Sequence, residues 1–200
     1  MFRNVRYYRL DNPWPESEEA LSEALRNAAF EPCRPLTERS SGWVPVYPDT
    51  GDLLARRLNG ADLIKLRSQS RLLPPTVVNE ELESRIEEYS RRMNESPSGR
   101  DKKRMKAEVR DELMPKALLK SDKIFGFVDL KDKLIGIDSA QNAASERFLR
   151  RLRAAFGDLN IQPLQFRQPV AELLTKIFLG DAPGQFAVGR ECRMQDARDP

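Results

Sequence analysis

Two hydrophobic patterns alternate along this chain, and they predict different kinds of secondary structure. Short runs rich in β-branched and aromatic residues, bounded by turn residues, predict strands. Apolar residues that recur at spacings of three and four predict amphipathic helices. The predicted strands cover residues 4–10, 42–47, 53–58, 61–66, 124–129, 134–138, 161–166 and 185–188. The predicted helices cover residues 16–29, 76–96, 101–113, 140–156 and 169–179. This mixture predicts an α+β fold with an antiparallel sheet body and packed helices.

Turn residues connect these elements and show where the body is interrupted. Asn59-Gly60 lies between two apolar runs and predicts a β-hairpin, because both central residues of that turn need positive φ. Ser96-Pro97-Ser98-Gly99 separates two helices, so this region is predicted to form a projecting helical hairpin. The predicted organisation is a first part of the body at 1–75, the hairpin at 76–117, a second part of the body at 118–166, and a final segment at 167–200.

The formal charge is strongly segregated along the chain. In total, 34 basic and 31 acidic residues give a net charge of +3 over 200 residues, which neither requires nor excludes a polyanionic partner. Residues 77–96 contain three basic and six acidic residues, whereas residues 97–123 contain nine basic and five acidic residues. Residues 141–167 contain five basic and two acidic residues. Two basic segments are therefore set against one acidic helix.

A row of cations follows one side of the predicted helix 101–113. Lys103, Lys106 and Arg110 recur at i, i+3 and i+7, and such a row can neutralise successive phosphates without reading a base sequence. The alternative interpretation is a solvated face whose charges pair with the acidic helix. The candidate DNA-binding residues are Arg100, Lys102, Lys103, Arg104, Lys106, Arg110, Lys116, Arg147, Arg150 and Arg151.

Composition excludes several kinds of catalysis. The chain has no histidine, which removes histidine-based triads, imidazole general bases and most zinc sites. Cys33 and Cys192 are too far apart in sequence for a CxxC motif, and free thiols are expected. No apolar run approaches the ~18 residues of a membrane span, and the first residues lack the apolar core of a signal peptide. We expect a cytoplasmic protein without a cofactor or metal ion.

Other residue patterns leave alternative functions open. Asp129 and Asp138 flank the predicted 124–138 hairpin and could hold Mg²⁺ in a nuclease, although aspartate is also favoured in turns and before helices. Trp43 could stack against bases or form a packed corner of the core. The helical hairpin could instead bind a partner helix, as in a protein–protein adaptor.

Several short motifs occur in one order over nearly the whole chain. They are Phe30-x-Pro32-Cys33, Gly42-Trp43-Val44-Pro45, Asn59-Gly60, Leu72-Leu73-Pro74, Lys106-x-Glu108, Leu113-Met114-Pro115-x-Ala117, Leu134-Ile135-x-Ile137-Asp138-x-Ala140, and the late Phe186 with Glu191-Cys192. Each motif alone is unspecific. Their succession resembles the RdgC family of recombination-associated proteins of proteobacteria.

This resemblance implies a nucleoid-associated, non-enzymatic protein of the cytoplasm. Members of the family form ring-shaped homodimers around duplex DNA, bind single strands with little sequence preference, and restrain the RecA recombinase. The helical hairpin would be a tip that meets its partner's tip, and Lys102 and Lys106 match basic positions of that element. The expected dimer contacts are Leu113, Met114 and Leu118. Family chains are longer, so residues 167–200 correspond to the start of a truncated base region.

Overall fold

The computed structural model describes residues 2–48, 51–165, 169–181, 184 and 189. Residues 1–163 form one unit, and residues 164–200 form a second unit whose described part is mainly the helix α5. The helices are α1 (Glu18–Arg26), α2 (Pro75–Met93), α3 (Gly99–Leu113), α4 (Asn142–Phe156) and α5 (Val170–Phe178). The strands are β1 (Val5–Leu10), β2 (Arg39–Val44), β3 (Ala55–Leu58), β4 (Ala61–Leu72), β5 (Leu118–Asp129), β6 (Leu134–Asp138) and β7 (Ile161–Pro163).

The strands of the first unit form one antiparallel sheet. Its order is β2-β4-β5-β6-β1-β7, and β3 pairs with β4 next to β2. This sheet and its helices confirm the predicted α+β class. β4 and β5 pair over their whole lengths, from Ala61 opposite Asp129 to Leu72 opposite Leu118. β6 pairs only with the last part of β5, so the other ends of β4 and β5 form an arm that carries α2 and α3.

The hydrophobic core lies between one face of this sheet, here called the covered face, and the helices α1 and α4. Trp43 of β2 meets Phe148 of α4 edge to face, with ring centroids 5.0 Å apart. Gly126 of β5 allows Phe148 to approach, because a Cβ atom there would lie 2.3 Å from the ring. Trp43 is 1% exposed, so it belongs to the core and is not an open stacking surface.

The predicted β-hairpins and the helical hairpin are present, with corrected limits. Asn59 and Gly60 have φ of 49° and 82°, as the Asn-Gly turn requires. β4 continues to Leu72 and β5 begins at Leu118, whereas the predicted strands ended at 66 and began at 124. The added halves are mostly polar, so the apolar alternation that predicts a strand is absent there. Pairing of the two halves with each other supplies the backbone hydrogen bonds that extend both strands.

All five helices differ from their predicted limits by one to three residues, and three of these differences have evident local reasons. α1 ends at Arg26, because the Ala28 carbonyl oxygen accepts the Trp43 N–H and the Phe30 N–H donates to the Trp43 carbonyl oxygen, which takes this segment out of the helix. α2 ends at Met93, followed by Asn94 in the left-handed conformation with φ of 51°. α4 begins at Asn142, since a local bond from the Gln141 N–H to Ser139 Oγ holds the preceding residues in a turn. The predicted strand 185–188 lies outside the described residues.

Candidate nucleic-acid interface

The helix α3 presents Lys103, Lys106 and Arg110 along one exposed side. Ser98 begins this helix, because its Oγ accepts the Asp101 N–H at 3.2 Å and donates to the Asp101 carboxylate at 2.6 Å. This bond from Ser98 lowers the pKa of Asp101, which therefore remains charged at the positive helix end. Val109 of the same helix is fully buried. The three cations of the predicted stripe therefore lie together on one exposed side of α3.

The acidic helix α2 does not neutralise this stripe. Lys106 Nζ donates to the amide oxygen of Asn79 at 2.9 Å, and Arg110 pairs with Glu38 from the loop before β2. Lys103 has no ion pair among the residues that the structure describes. The interpretation in which the stripe pairs with the acidic helix is therefore not the arrangement in this structure.

Several acidic residues of the hairpin lie at a second groove, between α2 and α3, where they surround Arg85. Arg85 of α2 bonds Glu81 on its own helix and Glu112 on α3, with 3.1 Å between Arg85 Nη1 and Glu112 Oε1. The Arg85 hydrogen bond lowers the pKa of Glu112, so this carboxylate is held in its charged form. Glu81 and Glu108 line this second groove, which the stripe residues do not line. The hairpin consequently has a basic side and an acidic side.

The basic groove lies between α3 and the ends of β2 and β4, with a volume of about 580 Å³. Lys103, Lys106 and Arg110 form its wall on α3, and Arg39 and Ser70 contribute from the strands. Apolar side chains, including Leu72 and buried Met114, also line it. A row of cations therefore lies beside an apolar floor in this groove.

The hydroxyl pocket, of about 320 Å³, continues the basic groove along the covered face. Strand side chains alternate between faces, so the register places Ser41 opposite Ser68 and Ser70 opposite Lys120 on this same face. Its lining residues are Arg39, Ser40, Ser41, Ser68, Gln69, Ser70, Leu72, Lys120, Asp122, Arg147 and Arg151. Three of these residues, Arg39, Ser70 and Leu72, also line the basic groove, so the two concavities adjoin.

At this junction, cations from the two basic segments of the sequence, which form α3 and α4, lie on adjoining surfaces. Arg147 and Arg151 of α4 enter the hydroxyl pocket, and Arg151 Nε donates to Ser41 Oγ at 2.9 Å. The linings of the two concavities together contain eight basic residues and two acidic residues, Glu38 and Asp122. Such an excess of positive charge in a concave surface raises the local concentration of anions.

The remaining candidate cations lie elsewhere on the surface. Arg104 pairs with Asp101 at 3.4 Å and with Glu108 at 3.6 Å on its own helix. Arg100, Lys102, Lys116 and Arg150 are exposed and line neither the basic groove nor the hydroxyl pocket. Sequence reasoning thus selected five residues of the joined surface and five others outside it.

Three cations of this surface were missed by sequence reasoning. Arg39 and Lys120 lie on strand ends that were predicted as loops. Arg71 has a positioning role, because its guanidinium donates to the carbonyl oxygens of Pro115 at 3.1 Å and Arg34 at 3.2 Å. These bonds tie the root of the helical hairpin to the sheet. Only the strand register would have identified the three residues.

The proposed dimer contacts differ in accessibility. Leu118 is 76% exposed at the start of β5, and Leu113 is half-buried. Met114 is 4% exposed and lines the floor of the basic groove, so it packs within its own chain.

The carboxylates proposed for metal binding serve local structure. Asp129 Oδ1 accepts the backbone N–H groups of Lys131 and Asp132, each at 2.9 Å. Asp138 Oδ1 accepts the N–H groups of Arg3 and Asn4, at 2.9 and 3.0 Å. Among the described residues, no cluster of three or more side chains could hold a metal ion. Within the same part of the chain, no helix has the length and apolarity that crossing a bilayer requires.

The fold and this surface define an α+β protein with a helical hairpin inserted in its sheet and a cationic concavity at the base of that hairpin. A family model described as "Putative exonuclease, RdgC" matches residues 1–200, and the chain belongs to the RdgC family. Recombination-associated protein RdgC of Sodalis glossinidius is 31% identical over 195 residues, which are 97% of this chain and 64% of the relative. The corresponding protein of Bordetella parapertussis is 30% identical over the same shares, and that of Stenotrophomonas maltophilia is 29% identical over 98% and 65%. The chain thus spans somewhat less than two thirds of the length of these relatives.

Proposed function

We propose that this chain binds DNA without sequence preference and without catalysis, through the joined surface of the basic groove and the hydroxyl pocket. The observation that carries the proposal is the meeting of Lys103, Lys106 and Arg110 from α3 with Arg147 and Arg151 from α4 on adjoining concavities. Lysine and arginine bind phosphate oxygens, and each contact releases counterions from the DNA. Because phosphates carry no base information, this binding is independent of sequence.

The family membership supports a role for this binding in recombination. The relatives are named recombination-associated proteins. We infer that the chain binds duplex and single-stranded DNA as a homodimeric clamp or ring in the nucleoid, and that it modulates RecA-dependent recombination by occupying DNA. A clamp needs no base readout, which agrees with a surface of cations and hydroxyl groups.

A salt series tests the phosphate mechanism. The logarithm of the duplex association constant should fall linearly with the logarithm of salt concentration, with a slope of about −0.9 for each phosphate neutralised. Replacing Lys103, Lys106 and Arg110 by Ala should weaken binding to all sequences alike and reduce the magnitude of the slope by about 2–3. Fluorescence anisotropy with two duplexes of unrelated sequence measures both effects.

A matched control distinguishes the contribution of the groove cations to DNA binding from that of the total charge of the chain. Replacing Arg91, Arg92 and Lys131 by Ala removes three charges from exposed positions that do not line the basic groove or the hydroxyl pocket. This variant should retain the slope of the original chain to within about one unit. Affinity that hardly changes with salt, or an equal loss in the two triple variants, would overturn the proposal.

The description of the family model names an exonuclease, which is the second candidate function. Exonucleases that use metal ions hold them with clustered carboxylates, and no group of three or more acidic or cysteine side chains among the described residues could hold a metal ion. We therefore expect no cleavage. Linear end-labelled duplex incubated with the chain and Mg²⁺ or Mn²⁺ should keep its full length, and progressive shortening would establish the nuclease instead.

A further inference from the structure

Ser68 forms part of the hydroxyl pocket, and its hydroxyl group is unusual because it is buried and unpaired within the described residues. It lies on the covered face of β4, it is 8% exposed, and its Oγ is buried without a hydrogen-bond partner among the described residues. Buried polar groups nearly always have partners, and each exception calls for an explanation. A hydroxyl group turns about one torsion angle, so Ser68 can donate to an acceptor that enters the pocket.

The cations that line the pocket together with Ser68 come from three elements besides β4, namely α4, β2 and β5. Arg151 is held by its Nε bond to Ser41, and neither of its Nη groups has a hydrogen-bond partner in the described ranges. Arg147 lies one turn earlier on α4 and has no ion pair among the described residues. Arg39 comes from β2 and Lys120 from β5.

One carboxylate opposes an anion in this pocket. Asp122 lines it and lies 3.9 Å from Lys120, measured from Oδ1 to Nζ. Four cations therefore face one acidic side chain, and Lys120 is the cation that this acid partly neutralises. The net charge of the side chains that line the pocket is therefore positive.

We propose that the hydroxyl pocket binds a phosphate monoester, the group at the phosphorylated end of a DNA strand. This inference rests on the proposed function, since the adjoining basic groove would hold the rest of the strand. A terminal phosphate is attached on one side only, so it can reach a recessed hydroxyl group. A phosphodiester has a sugar on both sides and stays nearer the rim. The monoester also carries three free acceptor oxygens and the larger negative charge.

The size of the pocket agrees with one terminal group. Its 320 Å³ is at the lower limit of small-molecule pockets. Arg39 and Ser70, which line both concavities, mark the direction in which the strand would leave. The pocket therefore supplies recognition of an end, whereas the groove supplies contacts along the strand.

The test compares duplexes that have one open end, the other being closed by a hairpin loop. The open end carries a 5′-phosphate, a 3′-phosphate or only hydroxyl groups, and fluorescence anisotropy gives each affinity. One of the phosphorylated probes should bind about tenfold more tightly than the hydroxyl probe, as one charge-assisted hydrogen bond can provide. Deoxyadenosine 5′-monophosphate is titrated separately. Binding of this nucleotide without any preference between the duplex ends would overturn the assignment to a strand end.

Two variants and one control test whether the preference for a phosphorylated end depends on the hydroxyl pocket. Ser68→Ala and Arg151→Gln should each abolish most of it. Arg153→Gln removes the same charge from an exposed position of α4 outside the pocket and should keep it. If Arg153→Gln and Arg151→Gln reduce the preference equally, general charge and not the pocket is responsible, and the proposal is wrong.

A pH series gives a second readout that a structural effect would not produce. The second ionisation of a phosphate monoester has a pKa of about 6, so the preference should grow between pH 5 and pH 7. The groups that face the ligand are Arg39, Lys120, Asp122, Arg147 and Arg151, and the chain has no histidine. The hydroxyl probe, which lacks the monoester, serves as the reference at each pH.

The two proposals fail separately. Circular plasmid has no end, so its salt-dependent binding tests only the groove. Plasmid binding with equal affinity for phosphate and hydroxyl ends would overturn the end-binding inference alone. A clear preference for a phosphorylated end without plasmid binding would support the pocket and overturn the proposed function.

Discussion

Two buried serines show at the residue scale how a hydrogen-bond partner decides the effect of a substitution. Ser22 of α1 is 1% exposed, and its Oγ accepts the N–H groups of Leu54 and Ala55 at 3.1 and 3.2 Å. Ser22→Ala leaves these two N–H groups without that acceptor, and we expect a loss of about 1–3 kcal/mol in the free energy of unfolding. Ser68→Ala removes a hydroxyl group that has no hydrogen-bond partner within the described part of the chain, and it should cost no stability.

Urea unfolding of the two variants measures this difference. Both substitutions delete one oxygen from a buried serine, so each serves as the control for the other. An equal loss in the two variants would contradict the assignment of their partners. The Ser68→Ala result also shows whether its effect on DNA ends is measured in a folded protein.

Residue identity alone predicted only some of the surface cations. Lys103, Lys106 and Arg110 could be predicted, because helical spacing places them on one side of α3. Arg104 is also flanked by Asp101 and Glu108 at spacings that pair on a helix, and the structure pairs it with both. Charge spacing within the helix therefore identifies Arg104 as paired on its own helix, whereas the pairing of Arg110 with Glu38 depends on a residue distant in sequence. Arg39 offers no such signal, since its place depends on strand pairing.

At the scale of elements, helices and turns with strong local signals could be predicted from the sequence, whereas strands that depend on long-range pairing could not. The Asn-Gly hairpin and the helices were located because turn chemistry and periodicity act within a few residues. The polar halves of β4 and β5 were missed, because they become strands through long-range pairing, with each other across the helical hairpin and, for β4, also with β2. These halves carry Ser68, Ser70, Lys120 and Asp122, so the missed elements are those that form the hydroxyl pocket.

At the scale of the whole unit 1–163, the net charge of the chain does not describe the surface. The acidic groove between α2 and α3 and the basic groove between α3 and the sheet lie on different sides of one hairpin. Arg147 and Arg151 follow the α3 stripe by more than 35 residues, yet antiparallel return through β5 and β6 places α4 beside the arm. The sequence showed two basic segments, and the sheet topology determines that they share one surface.

The same arm ends in exposed leucines, which bear on the proposed homodimer. Leu72 is paired with Leu118 in the register, both lie on the covered face, and they are 49% and 76% exposed. Exposed apolar clusters in soluble proteins often mark interaction sites. In a twofold dimer, each residue near the axis meets its own copy. Leu118→Lys would then place two like charges close together in an apolar interface.

We therefore expect Leu118→Lys to raise the dissociation constant of the dimer by at least about tenfold, because uncompensated burial of charge costs several kcal/mol. Sedimentation equilibrium measures this shift from dimer to monomer. Leu58→Lys is the matched control, because Leu58 is 42% exposed on β3 and far from the arm end in the β4 pairing. Circular dichroism should show both variants folded. If the dissociation constants of the two variants agree, the exposed end of the arm is not the dimer contact, and duplex affinity would then be independent of Leu118.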